Sequence, residues 1–172
     1  MITPDAMTFA KGLGNGFAIG GVVARGELLD GIRGMSISTF GGNPLATAAG
    51  NATLDYVLSH DLQRNAAVTG GLIISGLRDA ASTLDIVGEV RGKGLMFAID
   101  LVDPATKKPS PPLAARMLEA TRERGLLVGK GGLYGHTLRM APPLTLSEAE
   151  AKEGLGLLTD ALTAVNEEVK ST

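Results

Sequence analysis

The sequence contains no cysteine and no tryptophan, and both absences narrow the chemistry open to the protein. Without cysteine there is no disulfide, no thiolate nucleophile and no Cys-ligated zinc. The only two histidines, His60 and His136, are far apart in the sequence, so no metal site is expected. Aromatic residues make up 3% of the chain, which leaves few side chains on which nucleic-acid bases could stack.

Strong charge and long apolar runs are missing as well. The net charge is −2, whereas binding to phosphate backbones calls for a basic face, so nucleic acid is not an expected partner. No apolar run approaches the roughly 20 residues that a membrane-spanning helix needs, so no membrane partner is expected. The first residues have neither a basic segment nor an apolar segment of the kind found in signal peptides. A cytoplasmic location is therefore expected.

A lysine followed by alternating glycines is the most distinctive local feature. An apolar run ends at Lys11, and Gly12, Gly14 and Gly16 follow it. Glycine lets the backbone come close to a ligand because it has no Cβ atom. A desolvated lysine held at such a point can lose its proton near neutral pH and attack a carbonyl as a Schiff-base lysine. The local pattern alone favours a solvated strand end, and the glycine spacing matches neither the Walker motif nor G-x-G-x-x-G.

Three segments of the chain resemble landmarks of one family. Residues 4–16 (PDAMTFAKGLGNG), 38–46 (STFGGNPLA) and 138–144 (LRMAPPL) are similar to segments of the class III (omega-type) pyridoxal-phosphate aminotransferases, and they occur in that family's order. The resemblance extends along essentially the whole chain. It is closest to the alanine–glyoxylate and 4-aminobutyrate types.

The resemblance implies roles for four residues. Lys11 would hold pyridoxal 5'-phosphate covalently and carry the proton between the substrate α-carbon and the cofactor. Ser38 and Thr39 would reach across a homodimer interface to the cofactor phosphate of the neighbouring subunit, although the same pair also suits an ordinary turn before a capped helix. Arg139 would bind the substrate carboxylate with its planar fork, and a structural salt bridge is the alternative.

The resemblance also shows what to expect of the chain as a whole. In the family the lysine lies past the middle of the chain. The loop that cups the phosphate, the aromatic that stacks on the ring and the aspartate that pairs with the pyridine nitrogen all precede it. The chain is therefore expected to be a C-terminal portion of an enzyme that moves an amino group from an amino acid or ω-amino acid to a 2-oxo acid. Alone, it is expected to be inactive.

Two alternatives to a catalytic fragment follow from the same reasoning. Apolar residues such as Val22, Val23 and Leu45 could be covered only by another chain, which suggests a non-catalytic oligomerising or interaction module. A half-enzyme completed in trans by an N-terminal partner is the other.

The fold implied is a fragment of the α/β fold-type I of pyridoxal-phosphate transferases. Residues 1–58 would be a remnant of the cofactor-binding large domain, with the end of its sheet and a linking helix. Residues 59–172 would be an α+β small domain, which has helices on one face of a sheet. In the first part, strands are predicted at 7–10 and 19–24, the second of them buried on both faces, and Asn43 with Pro44 predicts a helix start.

The remaining elements are predicted from periodicity, glycine positions and capping signals. They are a helix over 61–81, a hairpin over 87–101, a helix over 113–124, a short buried strand at 126–128, a strand at 137–140 and a final helix capped by Ser147 with Glu150. A mobile turn is predicted at 129–132, a solvated hairpin at 91–94 and a surface or loop position for His136.

Overall fold

The computed structural model describes residues 2–171, and the chain divides into two compact units, Met1–Asp61 and Leu62–Thr172. Residue 58, the expected end of the first part, lies in the last turn of the helix that ends at Ser59. No helix in the described part of the chain is long and apolar enough to cross a membrane.

The first unit contains a two-stranded sheet and two α-helices. Its elements are β1 (Ala6–Ala10), a 3-10 helix (Lys11–Gly14), β2 (Gly20–Ala24), α1 (Gly26–Asp30) and α2 (Pro44–Ser59). The strands are antiparallel, with Ala6 opposite Ala24 and Ala10 opposite Gly20.

The expectation that the second strand is buried on both faces is wrong. Val22 is 48% exposed and Val23 is 65% exposed. The sheet of the first unit has only two strands. The strand is apolar, but burial also requires a neighbouring layer that covers it.

Helix α2 begins where Asn43 and Pro44 predict. The Asn43 side chain accepts a hydrogen bond from the Ala46 amide at 2.9 Å and donates one to the Phe40 carbonyl at 2.9 Å. It therefore caps the helix and also fixes the preceding turn to the helix start.

The second unit is an α+β layer structure with one antiparallel sheet. Its elements are α3 (Leu62–Ala81), β3 (Val87–Lys93), β4 (Met96–Leu101), α4 (Pro111–Glu123), β5 (Gly129–Gly131), β6 (Thr137–Met140) and α5 (Glu148–Lys170). The strand order is β3-β4-β6-β5. The predicted 87–101 hairpin, the 137–140 strand and the Ser147–Glu150 capping box are all confirmed.

Alternation along the strands separates two faces of this sheet. Phe97, Ile99 and Leu101 are buried in the core together with Leu138 and Met140, which belong to the same face of β6. The residues between them, among them Asp100, Thr137 and Arg139, belong to the opposite face, because successive side chains alternate across a strand.

The short strand after α4 begins three residues later than expected. Residues 126–128 form no strand, Leu127 is 84% exposed, and pairing with β6 starts at Gly129 opposite Arg139. Gly125, with a φ of +80°, ends the helix, and the three apolar residues that follow form the connection to β5. Residues 129–131 are accordingly an edge strand, not the mobile turn that their glycines suggested.

Candidate cofactor and carboxylate sites

Lys11 sits in a strained backbone conformation directly after strand β1. It is the first residue of the 3-10 helix and has a φ of +57°, in the left-handed region that residues with a Cβ avoid. Such a conformation costs on the order of 1–2 kcal/mol in a non-glycine residue, and strained residues of this kind cluster at functional sites. The turn continues through Asn15 with φ +45° and Gly16 with φ +109°. The fold thus holds the lysine at a position that an ordinary strand end would not adopt.

Lys11 and Ser38 line one cavity of about 600 Å³ within the first unit. This volume lies in the range of small-molecule sites. Its lining consists of small, apolar and neutral polar residues besides the lysine: Ala10, Phe17, Ala18, Ile19, Gly20, Ser38, Phe40, Gly41, Gly42, Asn43, Ala46 and Thr47. No carboxylate is among them.

The turn that carries Ser38 depends on the glycine three residues later. A Cβ on Gly41 would lie 2.9 Å from the Ser38 Cβ and 3.1 Å from its hydroxyl oxygen. The Gly41 amide donates a hydrogen bond to the Ser38 carbonyl at 3.1 Å. Thr39 is exposed in the same turn and does not line the cavity.

Some polar side chains of this cavity already have hydrogen-bond partners, and others have none among the described residues. Asn43 caps α2, and the Thr47 hydroxyl donates to the Asn43 carbonyl at 2.9 Å. Within residues 2–171, neither the Lys11 amine nor the Ser38 hydroxyl has a hydrogen-bond or ion-pair partner. A free amine and a free hydroxyl on one cavity fit an aldehyde-bearing phosphate such as pyridoxal 5'-phosphate, but an acidic partner for its ring nitrogen is not among the lining residues.

Arg139 lies in the second unit, at the third position of β6. Its neighbours Leu138 and Met140 are buried, whereas Arg139 is exposed. The residues opposite it in the two adjacent strands are Ala98 and Gly129, which offer no charged side chain. No salt bridge to Arg139 occurs among the described residues, so the structure supplies no partner for the salt-bridge alternative.

A charged cluster on the same sheet face was not found by sequence reasoning. Arg91 contacts both oxygens of Asp100, one of them at 2.9 Å, and also donates to Glu89 at 3.0 Å. The Thr137 hydroxyl donates to Asp100 at 2.6 Å. Burial raises the pKa of Asp100, but the bonds from Arg91 and Thr137 together outweigh burial and lower that pKa below its usual value. The Asp100 contact is also the main cause that raises the pKa of Arg91.

His136 belongs to the edge of this cluster and lies in a loop, one of the two positions expected for it. Its side chain is only 12% exposed, and its Nε2 atom lies 3.8 Å from the Asp100 carboxylate. Its Nδ1 atom is buried without a hydrogen-bond partner among the described residues. Nothing in the flanking glycines signals the low exposure of its side chain.

The chain has clear relatives among known proteins. A profile of the class-III aminotransferases matches residues 1–162. The chain is 38% identical to "Alanine–glyoxylate aminotransferase 2 homolog 2, mitochondrial" of Arabidopsis thaliana over 87% of its length and 32% of that protein. It is 34% identical to a 4-aminobutyrate aminotransferase of Mycobacterium leprae over 94% of its length and 36% of that protein.

Solved structures give the same result. The chain is similar to a phospholyase from Arthrobacter in complex with phosphoethanolamine, with a TM-score of 0.87 and 38% identity over 95% of this chain and 39% of that one. Fold and sequence therefore define a fragment of the α/β fold-type I of pyridoxal-phosphate transaminases. The chain belongs to the class-III aminotransferase family. It spans about a third of the length of the curated relatives it matches.

Proposed function

We propose that this chain is the C-terminal part of a pyridoxal-phosphate-dependent aminotransferase that moves an amino group from an amino acid or ω-amino acid to a 2-oxo acid. The observation that carries the proposal is the placement of Lys11, which is held in a left-handed conformation at the end of β1 and faces the same cavity as Ser38. The similarity to the family supports the same function.

Lys11 would hold the cofactor covalently through its amine and move a proton at the substrate α-carbon. When bound, pyridoxal phosphate supplies an electron sink for the negative charge that develops at that carbon. Both tasks require an amine that is unprotonated during part of the cycle, which calls for a site shielded from water. The open cavity of this chain does not shield the amine by itself.

The turn at Ser38 and Thr39 would contact the cofactor phosphate. The Ser38 hydroxyl has no partner among the described residues, which supports a contact to the phosphate held by the neighbouring subunit. The exposure of Thr39 away from the Lys11 cavity supports a contact to a second subunit, and hence a homodimer. The cytoplasmic location expected from the sequence remains a prediction, and the Arabidopsis relative is itself named as mitochondrial.

Arg139 would bind the substrate carboxylate. A guanidinium fork binds a carboxylate with two parallel hydrogen bonds. The small residues Ala98 and Gly129, which lie opposite Arg139 in the two adjacent strands, support this role, because they leave the fork open to an incoming planar group.

The chain alone is proposed to be inactive. The cavity at Lys11 has no carboxylate to pair with a ring nitrogen, and the relatives are about three times as long. Two other candidates remain. One is a half-enzyme that is completed in trans by an N-terminal partner, and the other is a non-catalytic oligomerising or interaction module. The exposure of Val22, Val23 and Leu45 favours association with another chain, which both candidates require, since apolar surface of this kind drives association.

Borohydride trapping tests the proposal. Pyridoxal phosphate is added to the full chain, the imine is reduced, and the labelled peptides are mapped. We expect label on Lys11 in the wild type and none in Lys11→Arg, while Lys130→Arg, a matched change at another exposed lysine, keeps it. Label spread evenly over surface lysines would contradict the cofactor role.

Two further measurements separate the candidates. Turnover of alanine with glyoxylate, or of 4-aminobutyrate with 2-oxoglutarate, is expected to be absent for the chain alone. Turnover comparable to that of a full-length family member would overturn the proposed inactivity. Sedimentation of the chain as a monodisperse monomer would argue against the oligomerising module.

A further inference from the structure

Arg139 shares its sheet face with two carboxylates. The face that does not carry the core side chains presents Glu89 on β3 and Asp100 on β4, and Arg139 on β6. An exposed arginine on the same sheet face as two carboxylates is expected to form an ion pair with one of them. Within residues 2–171, however, Arg139 forms none. The lack of a pair needs a physical reason.

Distance alone does not provide that reason. Asp100 is opposite Thr137 in the β4–β6 ladder, and Arg139 follows Thr137 by two residues on the same face. Diagonal neighbours of this kind have Cα atoms about 7–8 Å apart, within reach of a long side chain. Asp100 is therefore a competitor for the Arg139 guanidinium.

The occupancy of Asp100 does provide the reason. Its carboxylate already accepts two hydrogen bonds from Arg91 and one from Thr137. These use three of the roughly four acceptor positions of a carboxylate. Arg91 reaches Glu89 as well, so a single arginine holds both carboxylates of this face.

We propose that Arg91 is a positioning residue: by occupying Asp100 and Glu89, it keeps the Arg139 guanidinium free to receive a substrate carboxylate. The inference rests on the proposed function for the use made of Arg139. Its structural part is that Asp100 pairs with Arg139 when Arg91 is removed. This part can be tested without any cofactor.

Titration of Asp100 in four variants of the full chain tests the capture. The carboxyl carbon of Asp100 is followed by NMR in the wild type, Arg139→Gln, Arg91→Gln and the double variant. In the wild-type background, Arg139→Gln is expected to leave the pKa of Asp100 unchanged. In the Arg91→Gln background, the same change is expected to raise that pKa, because Arg139 has become the partner.

Matched controls exclude a general effect of lost charge. Arg116→Gln removes another arginine that contacts a carboxylate through two nitrogens, and it is expected to show no coupling to Arg139→Gln. His136→Gln is titrated in parallel, since His136 also faces Asp100. Arg91→Lys keeps the charge but not the planar fork. In this background, the change in the pKa of Asp100 caused by Arg139→Gln is expected to lie between the changes seen in the wild-type and Arg91→Gln backgrounds. This variant also preserves the test if Arg91→Gln fails to fold.

Chemical modification gives a second readout that a merely structural role would not move. Phenylglyoxal is expected to modify Arg139 about two- to fivefold more slowly in Arg91→Gln than in the wild type, the range that an exposed ion pair of ordinary strength produces. The Arg91→Gln/Asp100→Asn double variant is expected to restore the rate. Equal rates in all three proteins, or an equal response of Asp100 to Arg139→Gln in both backgrounds, would overturn the inference. Failure to label Lys11 would leave these outcomes unchanged and would count only against the proposed function.

Discussion

Gly70 of helix α3 packs directly on Gly94 in the turn of the β3–β4 hairpin, so closely that a Cβ on Gly70 would overlap the Gly94 backbone. The atoms in the way belong to backbone, which cannot rotate aside as a flexible side chain does. We therefore expect Gly70→Ala to destabilise the second unit by about 1–3 kcal/mol, the range found for overpacking. Urea unfolding followed by circular dichroism measures the change.

Gly71 provides the matched control in the same helix. Apart from its chain neighbours and the backbone of its own helix, no heavy atom lies within 4 Å of a Cβ built on it. Gly71→Ala should stabilise the unit by up to about 1 kcal/mol, because alanine is the better helix former. Equal effects of the two substitutions would show that helix propensity, and not the contact with Gly94, decides the result.

Asn43 should be the main determinant of where α2 begins. Asn43→Ala removes the bond from the Ala46 amide and the bond to Phe40, and a loss of about 1 kcal/mol is expected. Asn51→Ala, an exposed change inside α2, should be neutral or slightly stabilising. Amide hydrogen exchange of the first turn of α2 distinguishes the two, and faster exchange in both variants would contradict a specific cap.

Asp100 should make stability depend on pH in acid. Burial raises the pKa of Asp100, the Arg91 and Thr137 contacts together lower it more, and the net result is a folded-state pKa below the usual value of 3.8. A group with a lowered folded pKa stabilises the native state above its unfolded pKa and loses that contribution as the pH falls through the folded pKa. The difference in unfolding free energy between wild type and Asp100→Asn should therefore be constant above about pH 5 and shrink below about pH 4. A difference that stays constant down to pH 2 would mean that the carboxylate is not the cause.

Lys11 should be replaceable by glycine without loss of stability. Its left-handed φ of +57° suits glycine better than any residue with a Cβ. Lys11→Gly is expected to be as stable as the wild type or more stable by up to about 1 kcal/mol, whereas Lys11→Ala keeps the unfavourable conformation. Hydrogen exchange in the β1–β2 pair is the measurement. A clear destabilisation by Lys11→Gly alone would argue that the lysine side chain supports the fold.

The sequence alone predicted those elements that depend on neighbouring residues in the chain. The Ser147 and Glu150 pair marks a helix start by itself, and both of its hydrogen bonds are formed. The alternation from Met96 to Leu101 defined a strand with one buried face. The lysine and its glycines are visible as a local pattern, but the role of Lys11 followed only from the resemblance of its segment to the family, since a lysine after a strand carries little information alone.

Other features depend on partners that no local window contains. The run 126–128 looked like a buried strand because it is apolar, but pairing with β6 begins only at Gly129. The burial expected for Val22 and Val23 failed for lack of a covering layer. The Arg91–Asp100–Thr137 cluster required the register of three strands, which the sequence does not encode in any spacing.

The buried apolar side chains are divided very unequally between the two units. Among the described residues, all of them except Ala46 belong to residues 62–171. The heat absorbed in a melting experiment comes largely from dismantling a core, so a calorimetric transition of this chain will report on the second unit. Loss of the Lys11 cavity, which lies in the first unit, can then occur below the measured melting temperature without a visible signal. A melting curve that shows a fully folded sample therefore does not show that the Lys11 cavity is intact for cofactor experiments.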